Sequence, residues 1–410
     1  MSLEVPRQFD YRYGPISIRY GPSRVSSLRN ILADHSVERV MIVTGNNVGS
    51  NQEVMQPVRS GIGDRLVTVF DETTPKKDGE TALRGVERMR EHAIDGIVVV
   101  GSGSSIDVAR AMCVIEAEGN SKNLFSTHTP DGDIDRPELP AEKISLFAVP
   151  TTFSGSEMTC ASGVNFTSVR DGTLNKESRS GPIYDPKILP TGIYYDPEMY
   201  ATTPEGVLAA SGMNGFDHGL EMLYSRNANP ITDAMASYGL AVLRESLPAA
   251  VNDPSNTEQV GRAINGVLLC SFGLVDPAAQ ANKYNIIHAF GHILSRFYDI
   301  QQGTVHGIVA PAVLQHIFTH ADGRRELLAD AMGVVETTND TDTATAIVES
   351  VKEMRTALGL PDCLSDEIPV ERDHLSRLAK DISQDVGVKN GPTGVPTDPD
   401  DFQEILETVF

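Results

Sequence analysis

The stretch that most restricts the fold runs from Ile94 to Gly119, IDGIVVVGSGSSIDVARAMCVIEAEG. A β-rich run breaks at Gly101-Ser102-Gly103-Ser104-Ser105 and continues as a helical pattern. Strand, glycine turn and helix in succession are the opening of a βαβ unit. The same alternation recurs nearby. Arg39–Thr44 (RVMIVT) is a buried-strand run ending in Gly45-Asn46-Asn47, and Leu66–Phe70 and Ile144–Val149 are further strands. Ser50–Ser60 and Gly79–Ala93 between them are helix-like. Such alternation predicts a parallel sheet in an α/β domain.

Past Pro204 the strand signals fade. Helical patterns cover 204–226, 230–251, 257–273, 277–297, 307–321, 324–333, 341–359 and 370–385, and a Gly/Pro/Asp tail from Lys389 ends in one short helix. The boundary falls in YYDPEMYATTP, giving an α/β domain over 1–199 and an all-α domain over 200–410. A chain of 410 residues suits two domains. Ser126–Lys143, rich in Pro and Asp, is expected to be a surface loop.

Composition narrows the function classes. No apolar run approaches a membrane span, and Met1–Asp10 lacks the apolar core of a signal peptide. The four cysteines are scattered without a CxxC, which points to reduced thiols in a cytoplasm. A formal net charge of −22, dispersed along the chain, disfavours nucleic acid and anionic membranes as partners. It also makes a salt-loving source plausible, since salt screens the repulsion.

Two sets of residues point to chemistry. Gly101 to Ser105, placed between a strand and a helix, offers free backbone N–H groups and the positive end of a helix dipole to a phosphate. The dinucleotide fingerprint would want a third glycine where this chain has Ile106, so a tight turn without a ligand competes. Thr151, Thr152 and Ser156 follow the next strand, where the carboxyl ends of a parallel sheet open; these hydroxyls would hold ribose or phosphate, or cap a helix.

The second set lies in the helical half. His288 and His292 are one turn apart on one helix face, and His306 is expected after a polar loop. Upstream, Asn214, His218 and Glu221 fall at i, i+4 and i+7, with Asp217 beside them. Amide, imidazole and the later histidines could converge between helices into a metal site or a proton relay. Unrelated histidines, one of them in the core, are the alternative.

Together the motifs GSGSSIDVAR, VPTTFSGSEMT, SGMNGFDHGLE and HAFGH…HGIVAP resemble, in order, those of the iron-containing (group III) alcohol dehydrogenase superfamily, with the dehydroquinate synthase-like fold. The resemblance implies a nucleotide-binding α/β domain, an all-α domain and an active site in the cleft. It implies hydride transfer between NAD or NADP and a small carbonyl or alcohol substrate, in a homodimer. Cofactor contacts carry over to Gly45, Asn46, Gly101, Ser102, Gly103, Ser104, Asp107, Thr151, Thr152 and Ser156. Lys176 falls where the family has a cofactor-facing lysine, or is a solvated loop lysine. The family's NAD-selecting Asp after the first strand is Gly45 here, so NADP should be tolerated.

The ligand set for Fe(II) or Zn carries over to Asn214, His218, His288 and His306, with His292 as the proton relay and His288 and His218 facing the substrate. Asn214 stands where the family's first metal ligand is an Asp. That substitution, PTTFSGSEMT and ILPTGIYYDPE look like the maleylacetate reductase branch, which is described as working without added metal. An amide weakens a divalent site, so a metal-independent reductase acting on a keto acid is one alternative. A catalytically silent nucleotide-binding homologue is another. A dehydroquinate synthase-like lyase or cyclase would need an intact metal site and other motifs. Asp217 is expected to replace Asn214 as a ligand only if the helix rotates locally.

Overall fold

The computed structural model describes residues 16–119, 143–164, 183–275, 284–334 and 340–410. Lys176, Met1–Asp10, the expected surface loop up to residue 142 and the start of the helix expected at 277–297 lie outside these. By contacts, the described residues form two compact units, one of 16–152 with 156–202 and the other of 153–155 with 203–410.

The first unit is built on a sheet of β1 (Ser17–Tyr20), β2 (Val40–Gly45), β3 (Leu66–Thr73), β4 (Gly96–Gly101), β5 (Ser145–Pro150) and, after a short antiparallel pair of β6 (Ala161–Ser162) with β7 (Ile183–Tyr184), β8 (Gly192–Tyr195). The order is β1-β8-β5-β4-β2-β3, with every pairing parallel. β2 and β4 are buried almost throughout, as strands are when helices cover both faces of a parallel sheet. Their neighbours in sequence are α2 (Asn46–Ser50), α3 (Gln52–Ile62), α4 (Gly79–Glu91) and α5 (Gly103–Glu118), with α1 (Leu28–Asp34) before β2. From β2 the chain moves one way to β3, then returns to place β4 on the other side of β2. The carboxyl ends of β2 and β4 therefore flank a topological switch point, where open α/β sheets bind ligands.

The architecture is the expected α/β half followed by an all-α half, and the four apolar strands lie where the sequence puts them to within a few residues. β1 and β8 were not expected. Their sequences, SIRY and GIYY, lack an apolar run, yet β8 is wholly buried between β5 and β1. Buried tyrosine is tolerated when its hydroxyl is satisfied, and Tyr195 donates to Glu157 Oε1 at 2.7 Å.

The second unit is organised on α6 (Glu205–Tyr224), which is buried from Leu208 to Tyr224 apart from Ser211 and Asn214. A helix buried on all sides sits in the middle of a bundle, here with one polar face. Against it pack α7 (Pro230–Asn252), α8 (Thr257–Ser271), α9 (Ile286–Phe297), α10 (Gln302–His320) and α11 (Arg325–Met332), and α12 (Asp340–Ala357), α13 (Leu375–Ser383) and α14 (Pro399–Thr408) pack on these in turn. α7 starts with a reciprocal cap between Asn229 and Thr232 and has Pro230 in its first turn.

One expectation needs correction: His306 does not follow a loop but lies inside α10, which already begins at Gln302. The polar, glycine-bearing QQG sequence suggests a turn. Gly303 instead allows a close crossing, because a Cβ there would collide with the Ala210 carbonyl of α6.

Candidate active site

On the sheet unit, β4 ends at Gly101 with φ +138, a conformation open to glycine and strained for other residues. Ser102 is the N-cap of α5 without using its side chain, and its Oγ lies 2.9 Å from Ser104 Oγ. The first backbone N–H groups of a long helix thus face the switch point, the arrangement that binds a phosphate. Gly45 ends β2 and caps α2, and Asn46, the first residue of α2, is exposed. The Thr151 N–H donates to the Gly101 carbonyl at 3.1 Å, which brings the ends of β4 and β5 together. Thr151 and Thr152 are both buried. Asp107 is also buried and bonded to Lys77 Nζ at 2.7 Å, with the wholly buried Arg110 at 3.5 Å. Arg110 donates to the carbonyls of Ser156, Glu157 and Ala161, so it holds the loop that carries Ser156.

On the helical unit, α6 presents Asn214, Asp217, His218 and Glu221 on one face. Glu221 anchors the start of α9. It accepts the backbone N–H of Asn285 at 2.9 Å and of His288 at 3.0 Å, the Tyr224 hydroxyl at 3.1 Å and His288 Nδ1 at 2.6 Å. A carboxylate on one ring nitrogen fixes the tautomer and leaves the other for a ligand or substrate. Asp217 Oδ2 lies 3.1 Å from His288 Nδ1 and 3.2 Å from His306 Nδ1. The His288 and His306 ring centroids are 4.4 Å apart, and His218 stacks on His288 at 5.1 Å.

Asn214 Nδ2 donates to the Ser154 carbonyl at 2.8 Å and lies 3.2 Å from His218 Nε2, while His218 Nδ1 meets Ser271 Oγ at 3.0 Å. His292 lies one turn further along α9, its ring centroid 5.9 Å from that of His288. It is partly exposed, with Nδ1 held by Asp385 Oδ2 at 3.1 Å and the Tyr284 ring 5.4 Å away.

The electrostatics follow from burial. Burial, with Glu221 nearby, pushes Asp217 well above the usual carboxylate range. Burial also raises Glu221, to about 8, against the opposing pull of its donors. Burial and the neighbouring His288 and His292 hold His306 well below the ordinary imidazole value, so it is neutral with a lone pair to offer. Burial alone would raise Asp385, but His292 and the Gly387 N–H bring it down to about 2.

Among the described residues, Asn214 Oδ1, both oxygens of Asp217 and both ring nitrogens of His306 are buried without a well-aligned hydrogen bond, the Asp217 Oδ2 contacts with the two imidazoles at 3.1 and 3.2 Å being close in distance only. Ligand atoms of Asp217, His288 and His306 lie within 4.8 Å of one another. A divalent cation with bonds of about 2.0–2.2 Å to oxygen and nitrogen would satisfy such a group, so these residues fit a metal. Asp217 reaches this group from a regular α6, contrary to the expectation that it would need a local rotation of the helix.

Of the residues expected from sequence, the described ones separate into the sheet-unit set and the helical set, and the structure adds two, Asp385 and Tyr284. Glu221 lies in the expected i+7 position but acts as the anchor of His288. Asp385 and Tyr284 carry no local signal that links them to His292.

A nucleotide cradle at the switch point of a parallel sheet, and a buried imidazole–carboxylate group on a helical unit, are the parts of a nucleotide-dependent enzyme. Residues 15–197 match the family model described as "Iron-containing alcohol dehydrogenase", and residues 208–410 match "Fe-containing alcohol dehydrogenase family, C-terminal". The chain belongs to the iron-containing alcohol dehydrogenase family and is an oxidoreductase of that type. It is 24% identical over 378 residues to the NAD-dependent methanol dehydrogenase of Bacillus methanolicus, covering 91% of this chain and 93% of the relative. It is 26% identical over 309 residues to the maleylacetate reductase of Pseudomonas sp. (strain P51), covering 75% of each. Its fold is similar to the crystal structure of a 1,3-propanediol oxidoreductase, with a TM-score of 0.85 at 21% identity, over 98% of this chain and 100% of that one. Members of the family use NAD(P) and typically a metal, and act on small alcohols or carbonyl compounds. No described helix is long and apolar enough to cross a membrane.

Proposed function

We propose that the enzyme moves hydride between C4 of a nicotinamide dinucleotide and the carbonyl carbon of a small aldehyde or ketone. The observation that carries this reading is the convergence of His288 and His306 with the buried Asp217 carboxylate of α6. His288 and His306, with donors from α6, would hold an Fe(II) or Zn ion, which when bound supplies Lewis acidity to the substrate oxygen. Gly101, Ser102, Gly103 and Ser104 cradle the pyrophosphate on the N-terminus of α5. Thr151, Thr152 and Ser156 line the adjoining strand end, and Asp107 is held rigid beneath them. Gly45 and Asn46 face the ribose without a carboxylate, so both NADH and NADPH are accepted. Glu221 keeps the His288 tautomer fixed. Asp385 accepts from His292 Nδ1, which leaves His292 Nε2 to carry the alcohol proton to or from solvent.

Cys113, Cys160 and Cys270 are buried and unbridged, which suits a cytoplasmic enzyme. Assembly as a homodimer is part of the same proposal. A metal-independent reductase of keto acids such as maleylacetate is the second reading. It is favoured by Asn214, whose neutral amide stands on the α6 face and bonds to Ser154 and His218; His218 and His288 would then donate to the substrate oxygen. Initial rates of NADH and NADPH oxidation with short aldehydes and with maleylacetate separate the two. Aldehyde turnover supports the first reading, maleylacetate turnover alone the second, and nucleotide binding without turnover on either would leave a silent homologue.

A further inference from the structure

We infer that Lys77 is a cofactor-binding residue, its ammonium group held by Asp107 beside the phosphate cradle and paired there with the pyrophosphate of the dinucleotide. The inference rests on the reading that Gly101 to Ser104 cradle that pyrophosphate, and it adds the counter-charge. Backbone N–H groups and a helix dipole supply only partial charges. The dinucleotide is an anion and the chain carries a net charge of −22, so long-range repulsion opposes its approach. A fixed cation at the cradle offsets that repulsion where the phosphates sit.

The chain brings Lys77 to this place through the end of β3. Thr73, the last residue of β3, pairs with Gly45 at the end of β2, and its Oγ1 lies 2.6 Å from Ser105 Oγ in the first turn of α5. Lys77 follows in the loop that leaves Thr73, and its Nζ donates to Asp107 Oδ2 at 2.7 Å. On α5, Asp107 stands at i+4 from Gly103 and i+3 from Ser104. It therefore shares their helix face, one turn further on.

A structural ion pair is the competing explanation, and charge balance argues against it. Asp107 already has the wholly buried Arg110 guanidinium 3.5 Å from Oδ1. Two cations on one carboxylate leave a net positive charge beside the cradle. An ammonium group has three hydrogens to donate. Asp107 takes one, and among the described residues Lys77 Nζ has no other hydrogen-bond partner. The Lys77 side chain is 31% exposed against 7% for Asp107, so Lys77 is the member of the pair that a ligand can reach. Gly163 lies against the pair and puts no side chain over it; a Cβ there would stand 3.6 Å from Lys77 Nζ.

The test is equilibrium binding of NADH, ADP and adenosine to wild type, K77M and K77R, read by NADH fluorescence and its displacement, with thermal unfolding to check folding. K77M is expected to lose about tenfold in affinity for NADH and for ADP, the low end for a hydrogen bond to a charged group. It should bind adenosine as wild type does, and K77R should keep most of the affinity. Added salt should weaken NADH binding less in K77M than in wild type, because the charge that salt screens is gone. An unchanged ADP affinity in K77M overturns the inference. So does an equal loss for adenosine, which marks a structural role, and so does a defect confined to KM for the carbonyl substrate; all three leave the cradle standing. Wild-type protein that binds neither NADH nor ADP overturns the cradle and the inference together. Should K77M unfold early, K77Q, whose amide can still donate to Asp107, decides by the same comparison.

Discussion

Replacing Asp385 by Asn tests the pairing that orients the relay histidine. The carboxyl, held near 2 in the folded protein, has an ordinary value of 3.8, a difference of 1.8 (3.8 − 2). At about 1.4 kcal/mol per unit, the ionised Asp385 carboxylate contributes about 2.5 kcal/mol of stability at neutral pH. A depressed carboxyl contributes fully above its unfolded value and loses the contribution as pH falls through the folded value. The D385N deficit should therefore be about 2.5 kcal/mol at pH 7 and roughly half that at pH 3. Asn can still accept from the Gly387 N–H, now 2.8 Å from Asp385 Oδ1, so the loop need not move. Its NH₂ can face His292 Nδ1 only if the imidazole adopts the other tautomer, which places the proton on the wrong nitrogen for relay. A loss in kcat of about 10- to 100-fold with little change in KM is expected, the scale of losing a partner that orients a working histidine and less than that of losing the proton-transfer group itself. Urea unfolding at the two pH values and steady-state kinetics measure both effects. A stability deficit that does not shrink in acid, or a kcat equal to that of wild type, would refute the reasoning.

Two further changes probe the sheet unit. Gly101→Ala forces a side chain into φ +138, at a cost of about 1–3 kcal/mol; weaker NADH binding by fluorescence titration is expected, with Zn(II) affinity unchanged. Gly45→Asp adds a carboxylate where the ribose is placed, with only the Thr73 carbonyl, 3.1 Å from the new Cβ, needing to give way. It should weaken NADPH relative to NADH by about tenfold, a difference of roughly 1.4 kcal/mol, whereas equal effects on both would put the ribose elsewhere.

The sequence made the centre of the sheet legible because β2 and β4 are continuous apolar runs ending in glycine. β1 and β8 escaped because four residues with two tyrosines or an arginine leave no periodic signal. The α6 face was legible as a face, but not which of its residues does what. Spacing puts Asn214, Asp217, His218 and Glu221 within one stripe, and a stripe cannot say that Ser154 turns the amide or that Glu221 is taken up by the start of α9. Those assignments come from neighbours 60 or more residues away. Asp385, 93 residues from His292, is beyond any local pattern. QQGTVHG misled in the other direction, since its glycine serves a helix crossing rather than a turn.

The most direct test of metal-assisted hydride transfer is the metal content of dialysed enzyme, measured beside its NAD(P)H-dependent aldehyde reduction before chelation, after it, and after reloading. One iron or zinc ion per chain, with turnover lost on chelation and recovered on reloading, is the predicted result. Metal-free protein that reduces its substrate at an undiminished rate would contradict it and leave the histidines as hydrogen-bond and proton donors alone.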